Sequence, residues 1–392
     1  MSRGSIRRRG RNSWELKFDV GTDAGGKRKT RYVTVRGRRQ DAQKELTRLL
    51  AEADAGTLPE PSKMTVREYI VAWLGVSPND DEPFPPPSPG LSPKTAERYR
   101  QLAEQQIYPH IGGIVMQKLR PFKVAEWHET LLATGGITGK PLSARTVGHA
   151  HRVLHRALAR AVQNEVLGRN VASAVKPPKV EDEEVEIFEA DEVVSVLAKL
   201  AGHELGTIAN AALASGARRG ELLALTWERL NVEAATMSIK RTLEQTGAGL
   251  RFKPPKTKRG FREITLPPSA VAVLREHRRR QLELRLQLGL GRPDSDALVF
   301  CRADGSPIPP NDLSRDWARV CKALELPRRS FHALRHTHAS ALISAGHDVV
   351  AISRRLGHKS PSTTLRIYAH LFDKVRKDAA AADAIEAAMR GQ

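Results

Sequence analysis

The C-terminal half of the sequence carries cationic side chains and one phenol in an ordered set of motifs. The motifs are SGARRGELLALTW (215–227), PKTKRGFREITLP (255–267), FHALRH (331–336), LGHKS (356–360) and STTLRIY (362–368). The candidates for chemistry within them are Arg218, Lys256, His332, Arg335, His358 and Tyr368. Guanidinium groups bind phosphate oxygens, and a phenol can act as a nucleophile. Together these residue types predict chemistry on a phosphodiester, although each one alone has an ordinary structural explanation.

The tyrosines are distributed so that one candidate nucleophile remains. Tyr32, Tyr69, Tyr99 and Tyr108 all lie in the first third of the chain, and Tyr368 is the fifth and last tyrosine. If a phenol is the nucleophile of the C-terminal half, it is therefore Tyr368.

The chain before Tyr368 has clear signals for helix ends. Gly357 follows the helical pattern VVAISRRL where a left-handed C-cap is expected, and this turn is predicted to expose His358. Ser360 and Pro361 fit the N-cap and the first position of a new helix. Tyr368 would lie about two turns inside that helix.

The segment FHALRHTH has two possible interpretations. His332 and Arg335 are three residues apart, so one helix face could direct both side chains to a single phosphate. His332 and His336 could instead suggest zinc, but the segment lacks the Glu that a metalloprotease helix places between its histidines. We predict phosphate binding here and no metal.

Other cofactor-dependent routes are not supported by the motifs. The segment ATGGITGKPLS departs from a nucleotide-binding loop, with Thr134 at the first glycine position and Pro141 after the lysine. The acidic residues form no cluster with the spacing of metal ligands. The sequence therefore predicts no cofactor.

The composition indicates the class of partner. The 392 residues include 64 Lys plus Arg and 44 Asp plus Glu, a formal net charge of +20. Such a surplus favours a polyanionic partner, first of all nucleic acid. Cys301 and Cys321 have no metal-site spacing, and no apolar run approaches the roughly 18 residues of a membrane span. We expect a soluble cytoplasmic protein with no membrane partner.

The N-terminal segment is the most basic part of the chain. Residues 1–39 hold 13 Lys or Arg and three acidic residues. SWELKFDV and KTRYVTV alternate around the turn GTDAGG and predict a β-hairpin, followed by a helix that ends at Gly56. This pattern is typical of a small DNA-binding module, with Arg28 and Arg31 as predicted contacts. A solvated basic arm is the alternative.

Helical patterns dominate the region from 63 to 176. A proline-rich loop interrupts them at 78–93. On its last helix Arg152, Arg156 and Arg160 recur every four residues, opposite a small apolar face that comprises Ala150, Leu154, Ala157 and Ala161. The arginine face could contact DNA phosphates, or it could simply be solvated.

The motifs, in this order and spacing, resemble the tyrosine site-specific recombinases of the phage integrase family. The resemblance implies a multidomain chain, mainly α with small antiparallel β-sheets. Its parts would be an α+β N-terminal arm-binding domain (1–60), an all-α core-binding domain (63–176), a linker (177–186) and a tyrosine-recombinase catalytic domain (187–392). Val171 stands where the family commonly has proline, and the loop at 78–93 has no counterpart.

The resemblance also implies a role for each motif. Arg218 and Arg335 would hold the non-bridging oxygens of the scissile phosphate while Tyr368 attacks phosphorus. His332 would accept the phenolic proton, directly or indirectly. His358 would donate a hydrogen bond to the phosphoryl group.

The leaving 5′ oxygen would need a proton from a lysine. The resemblance implies Lys256 as this general acid, and Lys258 two residues later is a rival. The product would be a 3′-phosphotyrosyl link and a free 5′ hydroxyl, a step that needs neither metal nor ATP.

The partners implied by the resemblance are double-stranded DNA, at core crossover sites and arm-type sites, and three further copies of the chain in a homotetramer. A recombination directionality factor and a host DNA-bending protein would assist, in the nucleoid of a bacterial host. Two alternatives stay open. One is a DNA-binding regulator without chemistry, and the other is a type IB topoisomerase, which relaxes DNA without exchanging strands.

Overall fold

The computed structural model describes residues 4–22, 27–54, 58–75, 90–181 and 184–390. The chain divides into two compact units, Met1–Glu181 and Asp182–Gln392. The first two predicted domains both fall within the first unit, so the division into three domains stays a prediction. Most of the predicted loop at 78–93 lies outside the described residues, as does Gly56.

The first unit begins with a three-stranded antiparallel sheet covered by one helix. Its elements are β1 (Gly4–Gly10), β2 (Ser13–Thr22), β3 (Arg28–Arg36) and α1 (Arg39–Asp54), with the strands in the order β1-β2-β3. Alternation in β2 buries Leu16 and Phe18 against Leu46 and Leu49 of α1. Each such buried side chain contributes roughly 1.5–3 kcal/mol. The predicted hairpin corresponds to β2 and β3. The arginine run of β1 does not alternate apolar and polar residues, so its sequence did not predict a strand.

The two predicted DNA contacts of this sheet lie in different environments. Arg28 is exposed and lies 3.7 Å from the carboxylate of Asp19. Arg31 pairs with Phe18 in the strand register, so it lies on the helix-covered face, where its guanidinium donates to the Pro59 carbonyl at 2.6 Å. Contact of Arg28 with DNA stays a prediction, while Arg31 is already engaged within the protein.

The rest of the first unit is helical. Its helices are α2 (Val66–Leu74), α3 (Pro93–Leu102), α4 (Tyr108–Ile111), α5 (Pro121–Thr134) and α6 (Ala144–Gln163), with a π-helical turn at Ala103–Ile107 between α3 and α4. A capping box at Thr65 begins α2, and the Ser143 hydroxyl accepts a backbone N–H at the start of α6. The helices enclose one apolar core.

Helix α6 has the two faces that its sequence predicts. Ala150, Leu154, Ala157 and Ala161 are all fully buried in the core. Arg152, Arg156 and Arg160 lie on the outer side, the first two exposed and the third half-buried. The Arg156 guanidinium also donates to the Tyr99 hydroxyl at 2.7 Å. The basic face is therefore present, and its contact with DNA stays a prediction.

The second unit is mainly helical with two small antiparallel sheets. Its elements are α7 (Ala190–Lys199), α8 (Glu204–Ser215), α9 (Arg219–Leu222), β4 (Leu230–Asn231), β5 (Thr236–Ile239), β6 (Thr242–Thr246), β7 (Gly249–Lys253), β8 (Arg262–Thr265), α10 (Pro268–Gln287), α11 (Pro310–Ala323), α12 (Ala333–Ser344), α13 (Val349–Leu356) and α14 (Pro361–Met389). One sheet has the order β4-β5-β8, and β6 pairs with β7. Both units together confirm the predicted fold class. Among the described helices, none combines the length and apolarity needed to cross a bilayer.

Helix α14 carries Tyr368 and the Ala-rich tail as one continuous element. Its first turns pack Ile367, Leu371 and Phe372 near Ile343 of α12 and Ile352 of α13. This cluster positions the only tyrosine of the unit. The tail is thus an extension of the tyrosine helix and not a separate helix.

A buried histidine pair in the first unit makes its stability depend on pH. His128 Nε2 and His151 Nδ1 are hydrogen-bonded at 3.1 Å, and burial lowers the pKa of both, that of His151 to about 4. Histidines of the unfolded chain bind protons near pH 6.5, so the contribution of this neutral pair to the free energy of unfolding is complete above that pH and is lost as pH falls toward 4.

We expect the melting temperature of the full chain to fall between pH 7 and 5, and to fall less steeply in His151→Gln. The matched control is His110→Gln at an exposed position, which should retain the wild-type slope.

Candidate active site

The loop between α8 and α9 positions the first arginine of the site. Gly216 ends α8 in a left-handed conformation with φ +63°, and a Cβ there would lie 2.9 Å from Leu356. Arg218 follows immediately before α9. Its backbone N–H and its guanidinium both donate to the carboxylate of Glu221, at 2.9 and 2.8 Å. Arg218 is therefore held at two points while its side chain stays partly open to solvent.

Glu221 is a buried carboxylate shared by two arginines. Besides Arg218, it accepts hydrogen bonds from the guanidinium of Arg262 on β8, at 2.8 and 3.3 Å. Although burial opposes ionisation, the two guanidinium groups lower the pKa of Glu221 to about 2. Glu221 is thus ionised and anchors the positive charge of the site.

Arg262 connects three parts of the second unit. Its side chain is almost fully buried, and it donates to the carbonyls of Arg355 in α13 and of Gly260 before β8 as well as to Glu221. Arg262 and Glu221 both lie inside the motifs singled out from the sequence, but sequence reasoning gave neither of them a role. Their significance comes from contacts between residues far apart in the chain.

Arg335 in α12 is the most deeply buried cation of the site, with 3% of its surface exposed. It donates to the carbonyl of Gly216 at 2.6 Å and to that of Leu356 at 2.8 Å. These carbonyls end α8 and α13, where the helix dipoles are negative. Burial and the nearby Arg218 still lower the pKa of Arg335 to about 9, so its charge is only partly compensated.

The turn after α13 brings the two arginines together. Arg335 donates to Leu356, and Arg218 donates to the next carbonyl, that of Gly357, at 3.0 Å. Gly357 has φ +65°, which confirms the predicted left-handed C-cap. The prediction that the turn exposes His358 is wrong. This side chain is buried and its Nδ1 is hydrogen-bonded at 2.8 Å to the hydroxyl of Thr364, one turn into α14.

Tyr368 lies in α14 with no exposed surface, and its hydroxyl is hydrogen-bonded to His336 Nδ1 at 2.8 Å. The expected proton acceptor, His332, is not the direct partner in this arrangement. His332 is an exposed residue immediately before α12, and its ring lies edge-on to that of His336 at 4.8 Å. The sequence placed His336 in the right motif but gave no signal that this histidine, and not His332, reaches α14.

The electrostatics of the site favour an anion. Burial raises the pKa of Tyr368 to about 12, while Arg335 and Arg218 both act to lower it, so the phenol lies in the field of both guanidinium groups. Burial, assisted by Arg335, lowers the pKa of His336 to about 4. Although His332 keeps exposed surface, the protein packed around its ring desolvates it and, together with His336 and the nearby arginines, lowers its pKa as well. A bound phosphate would compensate the excess positive charge.

The two candidate general acids lie on the segment between β7 and β8. Lys256 and Lys258 are both exposed. Contacts that join this segment to the site include the hydrogen bond from Arg259 to the Lys359 carbonyl at 3.1 Å. The segment is thus linked to the turn that precedes α14, and the choice between the two lysines stays open.

The structure brings together Arg218, Arg335, His358 and Tyr368, with His332 at the edge and Lys256 on an adjacent exposed segment. This set can bind a phosphate anion and present a phenol to it. In the part of the chain that the structure describes, no group of three or more His, Cys, Asp or Glu residues is placed to hold a metal ion. The arginines of α6 belong to the other unit.

This chain resembles known proteins both in sequence and in fold. Residues 181–374 match the model of the phage integrase family. A tyrosine recombinase XerC-like protein of Caldanaerobacter subterraneus is 29% identical over 55% of this chain, a match that spans only 58% of that relative's length. An integrase of Saccharopolyspora erythraea is 24% identical over 94% of this chain and 92% of its own. A Tn1549 transposon integrase, solved in complex with transposon right end DNA, has a similar fold, with a TM-score of 0.64 and 22% identity over 81% of this chain and 98% of that one.

The network around Glu221 predicts a large loss of stability in Glu221→Gln. The change leaves the buried charge of Arg262 without its carboxylate, and breaking a buried ion pair costs about 3–5 kcal/mol. Urea unfolding of the full chain should report this decrease in the free energy of unfolding. The matched control is Glu228→Gln, which removes an exposed ion pair with Arg229 and should change the stability by about 1 kcal/mol or less. Equal effects of the two substitutions would contradict the proposed anchoring role.

Proposed function

Because this chain belongs to the phage integrase family of tyrosine recombinases, the site-specific enzymes that integrate and excise mobile elements, we propose that Tyr368 forms a 3′-phosphotyrosyl link with DNA. The observation that carries this proposal is the convergence of Arg218 and Arg335 on two consecutive carbonyls, with the buried phenol in their field. That arrangement matches the needs of phosphoryl transfer, in which catalysis depends on position and charge.

The two arginines would hold the non-bridging oxygens of the scissile phosphate. Arg218 is accessible enough to contact DNA. Arg335 supplies a buried positive charge, and because its pKa is lowered, a bound anion would stabilise that charge. His358 would donate a hydrogen bond from its Nε2–H to the phosphoryl group, since Thr364 already engages Nδ1. His332, exposed at the start of α12, would border the phosphate and assist in proton transfer.

Lys256 would protonate the 5′ oxygen as it leaves. Attack by Tyr368 forms the oxygen–phosphorus bond and breaks the bond to the 5′ oxygen, so the energy of the phosphodiester is retained in the new link. A 5′ hydroxyl of a partner strand can then reverse the step. The reaction as proposed draws its charge stabilisation from side chains of this chain and uses neither metal nor ATP.

The exchange reaction would join four copies of the chain on two DNA duplexes. The sheet of β1–β3 would bind arm-type sites, and the basic face of α6 would follow the DNA backbone near the crossover site, so affinity would fall with salt. The continuous helix α14 would extend toward a neighbouring copy. A directionality factor and a host DNA-bending protein would complete the assembly on nucleoid DNA in the cytoplasm.

The covalent step is tested with Tyr368→Phe on a nicked suicide substrate. We expect the variant to bind DNA as the wild-type protein does and to form no covalent adduct, because the attacking oxygen is gone. Denaturing electrophoresis of labelled DNA measures the adduct. An adduct that persists in Tyr368→Phe would contradict this mechanism.

The same assays separate the two alternative functions. Relaxation of supercoiled DNA that lacks the recombination sites would support a type IB topoisomerase, and absence of any wild-type adduct would support a regulator without chemistry.

The leaving-group role is tested with a DNA substrate whose scissile 5′ oxygen is replaced by sulfur. A thiolate leaves without protonation, so Lys256→Ala should cleave the normal substrate about 10²–10⁴-fold more slowly and the sulfur substrate at nearly the wild-type rate. Lys258→Ala serves as the matched control, with a near-wild-type rate on both substrates. The reverse outcome would assign the role to Lys258.

A further inference from the structure

The hydrogen bond between α12 and α14 assigns a further catalytic residue. We propose that His336, and not His332, takes the proton directly from Tyr368 during cleavage and returns it during resealing. This inference rests on the proposed function, because it concerns the same phenol. The motif pattern of the sequence did not indicate that His336 contacts Tyr368.

The geometry meets the first requirement of a general base. His336 Nδ1 lies 2.8 Å from the Tyr368 hydroxyl, within the range over which a proton moves between heavy atoms. The two rings are edge-on, with centroids 5.6 Å apart. His336 is held in the first turn of α12, where its backbone N–H donates to the His332 carbonyl, and Tyr368 is fixed by the cluster around Ile343 and Leu356. Both partners are therefore positioned by packed helices and not by flexible loops.

The protonation state meets the second requirement. Because burial and Arg335 lower the pKa of His336, its imidazole is neutral at pH 7 and can accept a proton. The phenol is also neutral, since burial raises its pKa. The hydroxyl therefore donates to an unprotonated Nδ1, with the imidazole hydrogen on Nε2.

The charged and titratable groups that face this pair come from each adjacent element. They are His332 immediately before α12, Arg335 on α12, Arg218 immediately before α9 and His358 in the turn before α14. In the free protein, burial and the positive charge of Arg335 disfavour an imidazolium at His336. A phosphodiester bound by Arg218 and Arg335 would offset that charge, so His336 would become a stronger base only when the substrate is present.

The step balances in atoms and electrons. The phenolic proton moves to Nδ1, the tyrosyl oxygen bonds to phosphorus, the bond from phosphorus to the 5′ oxygen breaks, and Lys256 supplies a proton to that oxygen. In resealing, the attacking 5′ hydroxyl gives its proton to Lys256, and His336 returns its proton to the departing phenolate. His332 remains at the exposed edge, where it can contact the phosphate without touching the phenol.

The experiment compares single-turnover cleavage of a nicked suicide substrate by the full-length protein and by two variants across pH 6–10. His336→Leu removes the acceptor, and we expect a rate about 10²–10³-fold lower at pH 7. His336→Gln retains an oxygen that can accept the hydrogen bond but cannot take the proton, so we expect it to be as slow as His336→Leu. In both variants the phenol must ionise before attack, so the rate should rise nearly tenfold per pH unit. Over the neutral part of that range the wild-type rate should change much less, because His336 accepts the phenolic proton.

Control variants separate this proposal from a general loss of structure. His347→Gln, at an exposed position of the same unit, should cleave at the wild-type rate. DNA binding by the two His336 variants should equal that of wild type. A wild-type rate in His336→Gln would overturn the proposal, as would the appearance of the steep pH dependence in His332→Gln instead. If the wild-type protein itself forms no adduct, the proposed function fails first. If the wild-type protein forms the adduct and His336→Gln cleaves at a normal rate, only the role of His336 is contradicted, and the proposed function stands.

Discussion

The excess of buried positive charge is the constraint on which the site depends. Arg218, Arg262 and Arg335 surround a single carboxylate, Glu221. The remaining compensation comes from backbone carbonyls at the ends of α8 and α13, which carry only partial charges. A site built in this way holds more positive than negative charge, and burial together with Arg218 lowers the pKa of Arg335. In the proposed function, the phosphodiester would supply the missing negative charge.

The positive charge of these arginines also acts on the titratable groups of the site. It lowers the pKa of Tyr368, against the larger effect of burial, and it helps to keep His336 and His358 neutral. The phenol and its histidine partner are thus in the protonation states from which a proton can pass between them. If His336 accepts the phenolic proton as proposed, the charge of the bound substrate would change this balance when the transfer is needed and would couple chemistry to DNA binding.

Helix ends provide the positioning. The left-handed turns at Gly216 and Gly357 direct backbone carbonyls to the two arginines. The carbonyls of Gly216 and Leu356 accept from Arg335, and that of Gly357 accepts from Arg218. A Cβ at either glycine would contact a neighbouring side chain. Arg262 then connects α13 to β8 and to Glu221. Three segments distant in sequence are therefore held by a few directional hydrogen bonds, which tolerate little displacement.

Features that depend on neighbouring residues could be predicted from the sequence. These were the left-handed turn at Gly357, from its place after an apolar helix, and the buried face of α6, from its period; the count of tyrosines also made Tyr368 the candidate phenol of the C-terminal half. Tertiary structure alone decided which histidine meets the phenol, that His358 is buried against Thr364, and that Glu221 and Arg262 join the site. The physical reason is that helix signals act through the local backbone, whereas a hydrogen bond across α12 and α14 exists only after both helices have packed. His332 and His336 differ by one helical turn, and only that packing distinguishes them.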